Sequence, residues 1–175
     1  MNRLRGQRVY LAGAMDRVPD RGSTWRDKIT PSLQDLNITV FDPLKKPGNV
    51  GVENEETYKV KQKLKSAKKY DELSQIMKTI RAVDLRMVDV SDFIIVHLDI
   101  NTHPCGTLEE IFLANRQKKP IIIHIEQGKN KCPDWLFGSM PHSLFFDSWM
   151  EVMQYLYVVD NSNNETFNRW CFLNE

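Results

Sequence analysis

Short apolar runs alternate along the chain with longer stretches in which apolar residues recur every three or four positions. Arg8-Val9-Tyr10-Leu11-Ala12-Gly13 is β-rich, is ended by glycine and reads as a first strand. Residues 15–24, with Pro19, Gly22 and several charges, read as a loop. Ser23 or Thr24 is placed to cap a helix that begins near Trp25-Arg26 and runs through Leu33 and Leu36. Pro31 is expected either to kink that helix or to sit in a first turn. Ile38-Thr39-Val40-Phe41 reads as a second strand, stopped by Asp42-Pro43, and residues 43–54 read as loop. The pattern is helical from Glu55 to about Val90, where Ile76, Ile80, Val83 and Met87 mark one amphipathic face.

Phe93-Ile94-Ile95-Val96-His97-Leu98 and Pro120-Ile121-Ile122-Ile123-His124-Ile125 are near-continuous apolar runs, as strands buried on both faces are. Gly106-Thr107 opens a helix through Ala114, Leu144-Phe145-Phe146 reads as a fifth strand, and a helix follows from Ser148 to about Tyr157. Strands alternating with helices imply right-handed crossovers. The expected fold is α/β, a doubly wound five-stranded parallel sheet in a flavodoxin- or Rossmann-like three-layer sandwich. With 175 residues, the chain is expected to form a single domain over residues 1–175, with its core over about 8–156. The aromatic content of residues 160–175 (Phe167, Trp170, Phe172) argues for a tail that docks.

The formal net charge of +1 argues against a nucleic-acid polymer as partner. No apolar run is long enough to span a membrane, and the basic N-terminus lacks the apolar segment of a signal peptide. Cys105, Cys132 and Cys171 are an odd set without paired spacing, so a disulfide framework and a zinc knuckle both fit poorly and a reducing cytoplasm is expected. Six lysines fall within residues 59–69; they read as a solvated helix face or, alternatively, as a rim that attracts phosphate.

In such a sheet, ligands bind at the carboxyl ends of the strands. Gly13 stands alone there, with neither a dinucleotide nor a Walker glycine pattern around it. His97, His103, His124 and His142 form no metal-ligand spacing, and His97 and His124 read as core or subunit-contact histidines. Cys105 with His103 is a weak nucleophile–base pair, because closeness in sequence says little about geometry. Carboxylates are the better candidates. Glu109 and Glu110 point about 100° apart on their helix, and periodicity does not decide which faces the sheet.

Val9-Tyr10-Leu11-Ala12-Gly13, Asp84-x7-Asp92-Phe-Ile-Ile-Val, Gly106-Thr107-x2-Glu110 and Lys119-Pro120-Ile121 occur in an order and spacing that resemble the nucleoside 2-deoxyribosyltransferase family. Trp25-Arg26 is similar to the "WR" of that family's deoxyribosyltransferase-like branch. The resemblance covers roughly residues 8–156. It implies Glu110 as nucleophile, Tyr10 as the hydroxyl that orients it and Asp84 as the aspartate working beside it. Asp92 matches a structural aspartate. Gly13, Trp25, Asp42, Gly106, Thr107 and Asp134 are the substrate-binding positions expected on the same reading.

Pro104 stands where classic members carry a base-handling aspartate, with Asp99, Asn101 or His103 as substitutes, and Asp134 or Trp135 stands where a neighbouring subunit lends an asparagine. The implied activity cleaves an N-glycosidic bond through a glutamyl-sugar ester and passes the sugar to another base. The implied partners are a nucleoside or nucleotide, a free nucleobase and a second copy of the chain sharing the site, with no cofactor and no metal. One alternative is a nucleoside 5′-monophosphate N-glycoside hydrolase holding the phosphate with Arg17, Arg21 or Ser23. The other is a non-catalytic nucleotide-binding domain of the same fold.

Overall fold

Five strands, β1 (Arg8–Gly13), β2 (Thr39–Phe41), β3 (Phe93–Leu98), β4 (Ile121–Ile125) and β5 (Phe145–Phe146), pair in the order β2-β1-β3-β4-β5, all parallel. The structure is a computed structural model that describes residues 2–16, 18–46, 48, 50–162 and 170. Successive side chains alternate faces. Val9, Leu11, Phe93, Ile95 and Ile122 therefore fill one side, and Tyr10, Ala12, Ile94, Val96 and Ile123 the other. Both sides are covered, which is why the central strands lack polar alternation.

The Tyr10 side packs under helices α3 (Tyr70–Val90), α4 (Cys105–Arg116) and the short α5 (Asp134–Ser139), through Met87, Val88, Ile111, Ala114 and Leu136. The opposite side packs under α1 (Ser23–Asp35) and α6 (Trp149–Asn161), through Trp25, Ile29, Leu33, Val152 and Leu156. Helix α2 (Glu55–Ser66) precedes α3. The architecture is the expected three-layer α/β sandwich with flavodoxin-like strand order.

Two local expectations are corrected, and the open place of Pro31 is decided. Helix α1 is capped by neither Ser23 nor Thr24: Gly22 is its N-cap at φ 75°, and the Asp20 carboxylate accepts from the N–H groups of Gly22 and Thr24 at 3.0 Å each. Pro31 lies inside α1 rather than in its first turn. The stretch from Glu55 to Val90 is two helices, broken where Lys68 adopts the left-handed conformation at φ 55°. No glycine or proline marks that break, so periodicity runs straight through it.

One buried side chain ties the sheet's carboxyl edge together. Arg26, with no exposed surface, donates from Nε to the Leu11 carbonyl at 3.3 Å and from its terminal nitrogens to the carbonyls of Gly13 (3.1 Å) and Gly22 (2.9 Å). Its charge is met by Asp42 at 3.6 Å, whose Oδ1 also accepts from the Leu44 N–H. The ends of β1 and β2 and the start of α1 are thereby fixed to one guanidinium. Close packing tightens the same corner, since a Cβ on Gly13 would lie 2.8 Å from the Trp25 ring.

In the tail, Trp170 is buried against Phe93 and donates to the Tyr155 hydroxyl at 2.9 Å. Phe167, Cys171 and Phe172 lie outside the described residues. Among the described residues no helix is long and apolar enough to cross a membrane. Removing one partner of a buried ion pair strands the other, so Arg26→Ala and Asp42→Ala should each destabilise by about 3 kcal/mol. Denaturant melts of the two variants and of the double variant should show the double falling well short of the sum.

Candidate active site

Helix α4 turns Thr107, Glu110, Ile111 and Ala114 inward at helical spacing. The choice that periodicity leaves open is thereby made. Glu110 points at the sheet, while Glu109 lies on the rim and pairs with Arg81. From β1, Tyr10 reaches the same point, and its hydroxyl donates to Glu110 Oε1 at 2.7 Å. Helix α3 buries Ile80, Asp84, Met87 and Val88 on its inner stripe, which brings Asp84 to this chamber from the other side.

The three residues line a cavity of about 380 Å³ at the carboxyl edge of the sheet. Gly13, Gly106 and Thr107 line it as well, together with His103, Pro104 and Cys105. A charge network adjoins it through Asp16, Glu53 and Asp84, which also line it. Lys46 Nζ lies 2.7 Å from Asp84 Oδ1 and 3.5 Å from Glu53, and donates to the Gly51 carbonyl at 2.8 Å. Lys61 reaches Asp16 at 3.2 Å and Glu53 at 3.4 Å.

Lys46, Glu53 and Lys61 are the members that the sequence reading misses. Lys61 is also the exception to the solvated lysine face, for Lys59, Lys63, Lys65, Lys68 and Lys69 are all exposed. Its one signal is that it sits between Tyr58 and Leu64 on the half-buried stripe of α2, where an apolar residue is the default.

Electrostatics separate the carboxyls. Burial pushes Glu110 up to about 8; the ionised Asp84 adds to the rise and the Tyr10 hydrogen bond opposes it. Asp84 is also raised by burial, but Lys46 holds it to about 6. Between those values the two groups hold one proton between them, as a coupled pair. Tyr10 is raised well above the ordinary phenol value by burial and by the two acids, so it stays a donor.

Other expected positions are not gathered here. Trp25 lies on the opposite face of the sheet, stacked on Trp149 with ring centroids 5.2 Å apart. Asp42 is engaged by Arg26 and the turn at Leu44. Asp134 is exposed at the start of α5, away from the cavity lining. Of the three base-handling substitutes, His103 lines the cavity, whereas Asp99 lines a second cavity and accepts from Gln127 and the Asn101 N–H. Arg21 and Ser23 do not line the cavity, and Arg17 lies outside the described residues.

No protein-family model matches the sequence, and no curated protein matches it by sequence. Solved structures do match in three dimensions. A 2-deoxyribosyltransferase from Bacillus psychrosaccharolyticus superposes with a TM-score of 0.57 at 18% identity, over 85% of this chain and 91% of that one. A 2-deoxyribosyltransferase from Leishmania mexicana gives 0.54 at 16% identity, over 89% and 98%. The chain has the fold of these enzymes.

The raised Glu110 carboxyl makes stability depend on pH with a definite sign. Below its unfolded value of 4.5 the group is neutral in both states; as pH rises from there to about 8, the folded state resists ionisation and stability is lost. Glu110→Gln keeps a neutral partner for Tyr10 and removes that loss. Melting experiments should show little difference near pH 5 and a variant more stable by roughly 3–5 kcal/mol near pH 8.

Proposed function

We propose that this chain is a nucleoside 2-deoxyribosyltransferase that breaks the N-glycosidic bond of a deoxynucleoside through an ester on Glu110. The observation that carries the reading is the buried Glu110 carboxyl, held by Tyr10 at 2.7 Å and sharing its cavity with Asp84. The volume suits one small molecule, near the lower end of the roughly 300–1,000 Å³ of ligand pockets. Likeness of fold to two 2-deoxyribosyltransferases supports a glycosyl-handling role.

Bond cleavage develops positive charge at C1′, and a carboxylate beside C1′ stabilises that charge and then closes on it. The electron pair of the C1′–N bond leaves with the base. The one proton of the pair rests on Glu110, the weaker acid; its passage to Asp84 leaves Glu110 as the carboxylate that attacks and Asp84 as the acid that gives its proton to the departing base. An incoming base reverses the sequence, with its proton returned to the pair; water in its place gives hydrolysis. Tyr10 keeps the Glu110 oxygen aimed, and Lys46 is a positioning residue acting through Asp84. No step uses a metal or an organic cofactor.

Charge at the cavity favours a nucleoside over its 5′-monophosphate. Arg81 is tied to Glu109, Lys46 to Asp84 and Glu53, and Lys61 to Asp16 and Glu53. A phosphate placed there would have to displace a carboxylate. The reading includes a second copy of the chain, supported by Trp135 and Phe137 of α5, which are 77% and 41% exposed beside Asp134. Sedimentation at micromolar concentration checks that element and should show a species larger than the monomer.

Chromatography of the protein with a deoxynucleoside and a different free base should show the exchanged nucleoside. Glu110→Ala should abolish it, and Tyr10→Phe should lower kcat roughly 10–100-fold, the worth of a hydrogen bond to a charged group. Base release from the monophosphate alone would instead establish the hydrolase. Absence of turnover with every base would make the chain a binding domain. The wild-type kcat/KM should be bell-shaped, with limbs at the about 6 and about 8 of Asp84 and Glu110. Asp84→Asn removes a negative charge that raises Glu110, so its remaining acid limb should move below the wild-type alkaline one.

A further inference from the structure

His97 and His124 face each other across β3 and β4, where they are register partners. Both point to the α1 and α6 side of the sheet, opposite Glu110. Their Nδ1 atoms are 3.0 Å apart, and the two rings are within 12° of parallel with centroids at 5.2 Å. The two nitrogens therefore face each other at the spacing of an N–H···N hydrogen bond. Glu126, one residue past β4, completes a group in which one nitrogen from each ring and a carboxylate oxygen all lie within 4.8 Å of one another.

The surroundings favour a cation. The three residues line a second cavity of about 850 Å³, to which Asp20, Asp99 and Asp147 add carboxylates and, among the described residues, Lys28 alone adds an amine. Trp25 packs on His97 and Trp149 on both rings, which fixes their planes.

We propose that His97, His124 and Glu126 form a binding site for one divalent first-row transition cation of the zinc, cobalt or nickel class. Two imidazoles with one carboxylate select that class over calcium and magnesium, which prefer all-oxygen shells. An ion held at about 2.05 Å from nitrogens 3.0 Å apart subtends about 94° at the metal, the angle of adjacent ligands in a five- or six-coordinate shell. Glu126, whose Oε2 lies 3.9 Å from His97 Nε2, turns in from its exposed position to reach the ion, with water completing the shell. The Nδ1 proton that the rings share moves to the outer nitrogen of its own ring, so neutral imidazoles lose no net proton. This site is independent of the Glu110 chemistry on the other face.

Titration of the full chain with Co²⁺, followed by its d–d absorbance and by equilibrium dialysis, tests the assignment. One ion per chain is expected, with Zn²⁺ competing, and His97→Gln and His124→Gln should each weaken binding at least ~100-fold. Glu126→Gln should weaken it by about 10-fold. Because the Glu126 side chain is 54% exposed, that variant keeps the test valid even where a histidine variant fails to fold. His103→Gln, His142→Gln and Cys105→Ser should bind as the wild type does. Absence of bound Co²⁺ in folded wild-type protein would overturn the proposal. So would binding that survives Glu126→Gln together with either histidine variant unchanged.

Discussion

A carboxyl group withdrawn from water resists ionisation, and the Glu110 carboxyl is withdrawn almost completely. Everything near it moderates that cost without abolishing it. Tyr10 supplies a hydrogen bond of 2.7 Å, which favours the anion, while Asp84 supplies a charge that opposes it. Lys46 and Glu53 then decide how much charge Asp84 carries. A fully solvated glutamate would be an anion with its lone pairs spent on water, and a fully isolated one would stay neutral. The arrangement lies between, with a single proton shared by two acids of unlike surroundings.

The sheet is what makes so buried a group reachable. Strand β1 is flanked by β2 on one side and β3 on the other, so the crossovers leave in opposite directions and a crevice opens at the carboxyl edge. Gly13 ends β1 there with no side chain to fill the opening. Arg26 fastens that strand end and the start of α1 from beneath through three carbonyls. Ala14 lines the cavities on both faces, so the Glu110 chamber and the cavity of the histidine pair adjoin at one edge of the sheet. The alternation of side chains along β1 and β3 alone separates them: Tyr10 and Val96 face one way, Leu11 and His97 the other.

The strands were legible because burial on both faces leaves unbroken runs such as residues 93–98, and their alternation with helices carries the sheet order. Tyr10, Asp84 and Glu110 were legible only through a resemblance in motif order. From the residues alone, Glu109 and Glu110 are equivalent; the packing of α4 separates them, burying Glu110 with Thr107, Ile111 and Ala114 and leaving Glu109 to pair with Arg81. The break at Lys68 was invisible because an ordinary residue adopts the turn conformation. The network of Lys46, Glu53 and Lys61 was hidden because loop 43–54 has no period, and a buried lysine looks in sequence like a solvated one. The histidine pair needed register, since His97 and His124 are 27 positions apart and meet only through β3–β4 pairing.

The central claim is that Glu110 itself becomes bonded to the sugar. Mixing the protein with excess deoxynucleoside, quenching in acid and weighing the intact chain tests that claim directly. The expected product is a species heavier by one deoxyribosyl group, mapped by peptide fragmentation to Glu110 and absent from Glu110→Gln. An adduct on Asp84 or Glu109, or full turnover with no adduct on any residue, would contradict it.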